Sequence, residues 1–262
     1  MKLISLNTWG GRVFEPLINF IKNQSSTTDV FSLQEIFDTT SNVTQHKTIR
    51  TNLLDEIKKV LTDFQVFYFK TLIGYDDEVN KVPFDLTHGP AIFINKNVKI
   101  DFHPENFFIY RPKSLEQLKS DFSNLATPLQ CVSFHINGKR FLIFNFHGTP
   151  FPANKLDTQD RLEQARKVRE IMDTKSGAKI IVGDFNLLPE TKSLKIISEG
   201  MRNLIAQFNI VRTRSNLSPF FGKEGFQKFA DYTFVTNDVD VKKFEVSEVK
   251  ISDHLPMVLE FS

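Results

Sequence analysis

Residues 179–189, Lys-Ile-Ile-Val-Gly-Asp-Phe-Asn-Leu-Leu-Pro, constrain the fold more than any other stretch of this chain. Ile180, Ile181 and Val182 form a short β-branched apolar run, closed by Gly183 and then by Pro189, which predicts a buried central strand rather than a helix. The run breaks at Gly183 and brings a carboxylate, Asp184, and a carboxamide, Asn186, to the strand end. Asp, Asn and Gly are also the ordinary residues of strand exits, so alone the stretch reads equally well as a turn. Its company shifts that balance. Four other strand-like runs end on residues able to bind a metal or move a proton, at Asn7, Glu35, His147 and the C-terminal Ser252-Asp253-His254.

The 262 residues, 40% hydrophobic, suffice for a substantial core, and no linker, low-complexity tract or repeat divides them, so a single domain over 1–262 is expected. No run approaches the roughly 20 apolar residues of a membrane span, and the N-terminal apolar run is too short for a signal peptide. A soluble monomer is the expectation. The single cysteine, Cys131, excludes an internal disulfide and a thiol metal site; it reads as a buried strand thiol and points to a reducing, cytoplasmic compartment.

The 33 basic and 31 acidic residues nearly cancel, but their distribution is uneven. Between 191 and 228 seven basic residues face two acidic ones, a local +5 that suits a polyanionic substrate as well as it suits plain solvated surface. Arg212 and Arg214 stand at alternate positions there, so in extended chain both would point to one face and act as substrate-binding residues. The 27 phenylalanines, with alternating pairs such as Phe67 and Phe69, read mainly as core between sheets rather than as a base-stacking surface.

Taken in order, hydrophobic periodicity predicts strands at 2–7, 29–33, 64–72 and 90–94, and helices at 14–22 and 49–61. An acidic loop at 76–78 reads as solvated surface. Runs at 129–135 and 140–146, joined through Asn137-Gly138, predict a hairpin with a type I′ turn that ends at His147. Asp157 is positioned to cap a helix running to about 172, with Leu162, Ala165, Val168 and Met172 facing inward and Arg161 outward. Strands at 229–235, 241–249 and 257–261 follow. Hairpins beside alternating helices and strands argue for mixed rather than purely parallel sheets.

If these strand ends converge, Glu35, Asp184, Asp231 and Asp253 share one site, and like charges that close need compensation. A bound cation is the natural remedy, and all-oxygen ligands without cysteine suit Mg²⁺, with Mn²⁺ as a substitute, rather than zinc. Glu35 is the first expected ligand with Asn7 beside it, and Asp253 a second or alternate one. Mg²⁺ takes only one or two carboxylates and keeps its waters for a phosphate, and hydrolysis of a phosphoester there would need an activated water and stabilisation of growing phosphoryl charge, tasks that His147, His254 and Asn186 can share.

The strings SLNTWG, SLQEIF, FNFHG, IVGDFN, ADYTFV and ISDHLP resemble, in order, the motifs of the endonuclease/exonuclease/phosphatase superfamily from Asn7 to His254. The resemblance implies an α/β (α+β) four-layer sandwich, two mixed β-sheets packed face to face with helices outside and the site at one end. It implies that His254 contacts the scissile phosphate or acts as base with Asp231 fixing its tautomer, that Asp184 orients the attacking water, that Asn186 holds that water or a phosphoryl oxygen, and that His147 stabilises the transition state. His147 favours the deoxyribonuclease, sphingomyelinase and tyrosyl-DNA phosphodiesterase branches, whereas Ile36-Phe37 after Glu35 departs from pancreatic deoxyribonuclease. The expected function is Mg²⁺-dependent hydrolysis of phosphoesters, with nucleic acid, DNA or RNA, as leading substrate. A phospholipid, an inositol phosphate or another small phosphoester is the alternative, and a catalytically inactive phosphate-binding member the alternative of another class.

Overall fold

The computed structural model describes residues 1–110 and 126–262. Its strands, numbered in chain order, build two mixed sheets. The first runs in space β12 (Val241–Val246), β13 (Met257–Phe261), β1 (Lys2–Asn7), β2 (Val30–Asp38), β5 (Thr87–Asn95) and β3 (Phe64–Tyr68), with β4 (Leu72–Ile73) also on β5. The second runs β10 (Arg202–Asn203), β11 (Asp231–Val235), β9 (Ala178–Asp184), β8 (Lys139–His147), β7 (Thr127–Ile136) and β6 (Glu105–Tyr110). β1–β2 and β8–β9 are parallel, and the other neighbours antiparallel.

The sheets face each other across one large core that joins Leu3, Val30 and Ile92 of the first to Phe144, Ile181 and Phe234 of the second. Helices α1 (Phe14–Gln24) and α2 (Leu53–Val60) cover the far side of the first sheet through Leu17, Ile21, Leu53 and Ile57, packed on Phe31, Leu33 and Phe93. Helix α3 (Gln159–Asp173) adds Ala165, Val168 and Met172 to the large core. The four-layer sandwich is thus formed. β9 is a continuous apolar run, Ile180 to Val182 all buried, because both of its faces are covered. Gly183 is required there: a Cβ at that position would lie 2.1 Å from the Phe146 carbonyl oxygen of the neighbouring strand, and its φ is +139°. The Asn137-Gly138 turn has both residues at positive φ, as the type I′ hairpin needs. Cys131 is buried in β7.

Several elements differ from the sequence reading. β2 continues past Gln34 to Asp38, and β9 runs through Gly183 to Asp184. The helix expected from residue 49 starts at Leu53, while Ile49 fills a small cluster with Phe37, Val82 and Leu86. The strand expected at 64–72 is split into β3 and β4, and the two strands flanking the C-terminal turn are shorter, starting at Asp231 and stopping at Val246. Asp157 caps a different helix: Thr158 Oγ1 accepts from Arg161 N at the start of α3, whereas the Asp157 carboxylate accepts from Lys192 N and Ser193 N at the start of α4 (Lys192–Ile197). The acidic loop is not simply solvated. Asp76 is fully buried, accepting from the backbone N–H of Glu78 and Asn80 and paired with Lys47.

Arg161, expected to face outward, is buried because in the first turn of α3 its side chain reaches back to the preceding loop. It donates to the carbonyls of Thr149, Pro152 and Leu156. Burial lowers its pKa to about 10. Arg161→Met removes the charge and leaves these carbonyls without their donor, so a loss of about 1–3 kcal/mol in stability is expected by urea denaturation. Loss of activity larger than the stability change explains is also expected, because this loop carries Lys155 into the site described below.

Candidate active site

Strand direction gathers the site at one end of the sandwich. β1, β8 and β9 bring their C-terminal residues Asn7, His147 and Asp184 there, β2 brings Glu35 from within its length, and antiparallel β11 brings its N-terminal residue Asp231. His147 pairs with Asp184 across β8–β9, and Asp184 with Asp231 across β9–β11. Ser252-Asp253-His254 precedes β13, whose Met257 opposes Ser5 on β1, so it arrives at the same end. Glu35 sits where the β2–β5 register shifts, with φ +56°; this bulge turns its side chain out of the strand alternation, a strain that active sites commonly hold.

The side chains form one connected network. Asn7 Nδ2 donates to Glu35 Oε1 (2.9 Å) and to Asp184 Oδ2 (3.0 Å). His147 Nε2 lies 3.9 Å from both of those oxygens. His254 Nδ1 is 2.8 Å from Asp231 Oδ2, while its Nε2 is 3.7 Å from Asp184 Oδ2. Asn186, at φ +53°, donates from its backbone N–H to Asp184 Oδ1 (2.9 Å) and from Nδ2 to the Gly148 carbonyl (3.0 Å). Beneath them, between the sheets, Gln34 Nε2 donates to Asn145 Oδ1 (2.7 Å) and Asn145 Nδ2 to Gln130 Oε1 (3.3 Å), a buried polar brace.

Charge is unevenly compensated. Burial raises the carboxyls of Asp231 and Asp253, assisted by the neighbouring Asp184 charge, although His254 works against the rise. Burial also works to raise Asp184, but His254, His147 and Lys155 outweigh it and hold the carboxyl low. Glu35 behaves likewise under His147, His88 and the Asn7 hydrogen bond. Burial disfavours the His254 imidazolium, yet Asp231, Asp253 and Asp184 together push its pKa up to about 9. Arg214 Nη1, 3.0 Å from His254 Nε2, can donate there only to a lone pair. The imidazolium and this contact exclude each other: the contact requires the neutral ring with Nδ1–H donated to Asp231, and protonation of the ring requires Arg214 to move away.

The expected residues therefore meet, with three differences. Asn7 presents its amide nitrogen to both carboxylates while its Oδ1 accepts from Trp9 N (3.0 Å), so in this arrangement it clamps the acids beside Glu35. Asp253 accepts from Arg214 Nη2 (3.2 Å), and among the described residues the side-chain atoms that cluster within 4.8 Å and could hold a metal are those of Glu35, His147 and Asp184, and of Asp184, Asp231 and His254. Arg212 lies outside the cavity, paired with Glu248, whereas Arg214 lines it. Arg202 pairs through β10 with Val235, four residues along β11 from Asp231, so the basic segment does not form one track.

The cavity holds about 280 Å³ and adds residues that sequence patterning missed. Lys155 Nζ donates to Asn186 Oδ1 (2.6 Å) and to the Pro150 carbonyl (2.5 Å), and burial lowers its pKa to about 8. Nothing in the surrounding Ala-Asn-Lys-Leu marks it. His88, on β5 opposite Phe37, lines the same wall, and burial lowers its pKa to about 4 despite Glu35. A histidine entering a predicted strand was the available signal. Asp77, from the acidic loop, pairs with Arg12 at the cavity mouth.

The whole chain superposes on solved structures of low identity. An endonuclease/exonuclease/phosphatase family protein from Leptotrichia buccalis C-1013-b matches with TM-score 0.73 at 18% identity, covering 100% of this chain and 99% of that one. The mannosyl-6-phosphatase Bt3783 of Bacteroides thetaiotaomicron VPI-5482 matches with TM-score 0.69 at 20% identity, covering 100% and 99%. The human Nocturnin catalytic domain with bound sulfate matches with TM-score 0.66 at 18% identity, covering 100% and 93%. Comparison with curated protein sequences gives no match. Members of the Endonuclease/Exonuclease/phosphatase family hydrolyse phosphoester bonds and generally depend on a divalent metal, and because that family's sequence model matches residues 4–254, the chain belongs to it.

Proposed function

We propose that this protein is a Mg²⁺-dependent phosphodiesterase acting on nucleic acid. The observation that carries the reading is the second compartment: the catalytic cavity shares Lys155 and Arg214 with an adjoining cavity of about 300 Å³, giving the phosphorus room for a substituent on each side, as a diester requires. The donor set fits a hard cation. Glu35 and Asp184 share one amide donor and the ring of His147 flanks them, so two carboxylates and an imidazole converge on one point. Glu35 and Asp184 would hold Mg²⁺, with Mn²⁺ able to substitute, and the ion would supply Lewis-acid polarisation of the phosphoryl oxygens.

The protein's own groups account for the remaining steps. Asp184, fixed by the N–H groups of Asn7 and Asn186, orients a water for attack on phosphorus opposite the leaving oxygen. As the water oxygen bonds to phosphorus and the ester P–O bond breaks, the water proton passes to the Asp184–His254 pair, whose positive form Asp231 stabilises. The departing oxygen takes up a proton from solvent water, and His254 afterwards returns its proton to solvent, which restores the site. Lys155 uses two of its three donors on Asn186 and Pro150, which leaves one for a phosphoryl oxygen; His147 and Arg214 supply others. Arg214 leaves His254 Nε2 when it takes up the phosphate, which frees that nitrogen for the proton.

Binding of the Asp184→Asn protein to single-stranded DNA or RNA tests the substrate class. Each neutralised phosphate contributes about 0.7 to the slope of log K against log salt on single strands. Arg214→Ala should reduce the slope by roughly one such step, while Arg212→Ala, already paired with Glu248, should change it little. A salt dependence near zero in the unsubstituted Asp184→Asn background would remove the polyanion and favour a small phosphoester.

A further inference from the structure

The adjoining cavity is walled by Phe151, Phe220 and Phe226, with Ser218 and Gln227 as polar members. Phenylalanine in this chain is chiefly core, so its exposed positions are informative. Phe220 is 62% exposed, which packing between the sheets does not explain. Its segment is nonetheless held in shape. Successive turns link Phe221 N to Ser218 O (2.9 Å), Lys223 N to Phe220 O (3.0 Å) and Phe226 N to Lys223 O (3.2 Å). Gln227 Nε2 donates to Ala153 O (2.9 Å), which ties this segment to the loop bearing Lys155. Phe226 packs edge-on against Phe221 at 5.3 Å, and the Arg212 guanidinium lies 5.2 Å from the Phe221 ring. Arg212, idle as a direct phosphate ligand, thereby braces the aromatic wall.

Resting on the nucleic-acid reading above, we propose that this cavity is a base-stacking subsite for one unpaired nucleobase beside the scissile phosphodiester. The two cavities meet at Lys155 and Arg214, the cations that would grip the phosphoryl oxygens. A substituent leaving phosphorus past those cations enters the aromatic cavity, so the nucleoside next to the phosphate is the group placed there. A flat ring meets the phenylalanine walls through its π face, and its polar edge can meet Ser218 and Gln227; an acyl chain has no such edge. Stacking of this kind tolerates any base but requires it to be out of a duplex, because a paired base is covered by its neighbours. The subsite thus makes the enzyme prefer single strands, loops or ends.

Dithymidine monophosphate, with one diester bond, and its two analogues that each lack one base provide the test. Loss of one base should lower kcat/KM by roughly 5- to 150-fold, the range of a base stacked on an aromatic side chain, and loss of the other much less. In Phe220→Ala the ratio between intact and base-less substrate should collapse toward one, and Phe220→Trp should restore it. Because Phe220 is exposed, both variants are expected to fold as the unsubstituted protein does, and an unchanged thermal midpoint checks this. Equal losses for both analogues, or an unchanged ratio in Phe220→Ala, would overturn the subsite and leave the diesterase intact. Absence of cleavage of every dinucleotide overturns the nucleic-acid reading together with the subsite. If vesicle-borne sphingomyelin is then hydrolysed and Phe220→Ala slows it, the cavity holds an acyl chain instead.

Discussion

His254→Ala is expected to lower kcat by on the order of 10² or more while KM changes little, because the ring acts on protons and phosphoryl charge in the transition state. The geometry makes the expectation specific. His254 is the only side chain that touches both Asp231 through Nδ1 (2.8 Å) and Arg214 through Nε2 (3.0 Å) among the described residues, and its Nε2 faces Asp184 at 3.7 Å. Asp231→Asn should reproduce part of the loss, since an amide can hold the ring but cannot stabilise its positive form. Full kcat in His254→Ala, measured at saturating substrate, would return the residue to a structural role. The substitution also unpairs Asp231, which is buried, so unfolding must be measured in parallel and a cost of about 1–3 kcal/mol is expected.

Glu35→Gln should weaken Mg²⁺ binding by on the order of 10² or more, a loss at least as large as those caused by removing groups one shell farther from a metal. Charge and shape separate in this variant. The amide keeps the volume and the strained backbone at φ +56° but removes the negative charge that His147 and His88 surround. Titration calorimetry with Mg²⁺ reads the affinity, and circular dichroism verifies the fold. Mg²⁺ affinity equal to that of the unsubstituted protein would exclude Glu35 as a ligand.

Much of this site was legible because its residues stand at the ends of apolar strands, where a break in periodicity is visible in one dimension. Asp184 after Ile180-Ile181-Val182 and His147 after the Asn137-Gly138 hairpin are of this kind, and the hairpin even fixed the pairing of its two strands. Convergence of those ends was supplied by family resemblance, since it depends on which strands run parallel. Side-chain commitments were not legible. The direction of the Asn7 amide is decided by the backbone N–H of Trp9 two residues on, the place of Asp253 by Arg214, and the fate of Arg212 by Glu248, pairings that residue type and spacing do not reveal. Lys155 escaped for a related reason: its loop has no periodicity, and its position is imposed by Arg161, a charged helix residue that turns inward against the amphipathic pattern. Asp157 shows the same limit for caps, because a carboxylate just before one helix can serve the N-terminus of another.

The central claim is that phosphodiester hydrolysis here depends jointly on a divalent cation and on Asp184. The most direct test is single-turnover hydrolysis of dithymidine monophosphate by the unsubstituted protein and by Asp184→Asn, each with saturating Mg²⁺ and with excess EDTA. The structure predicts product only from the unsubstituted protein with Mg²⁺, with all samples equally folded by circular dichroism. Turnover that persists in EDTA, or that proceeds in Asp184→Asn at the unsubstituted rate, would contradict it.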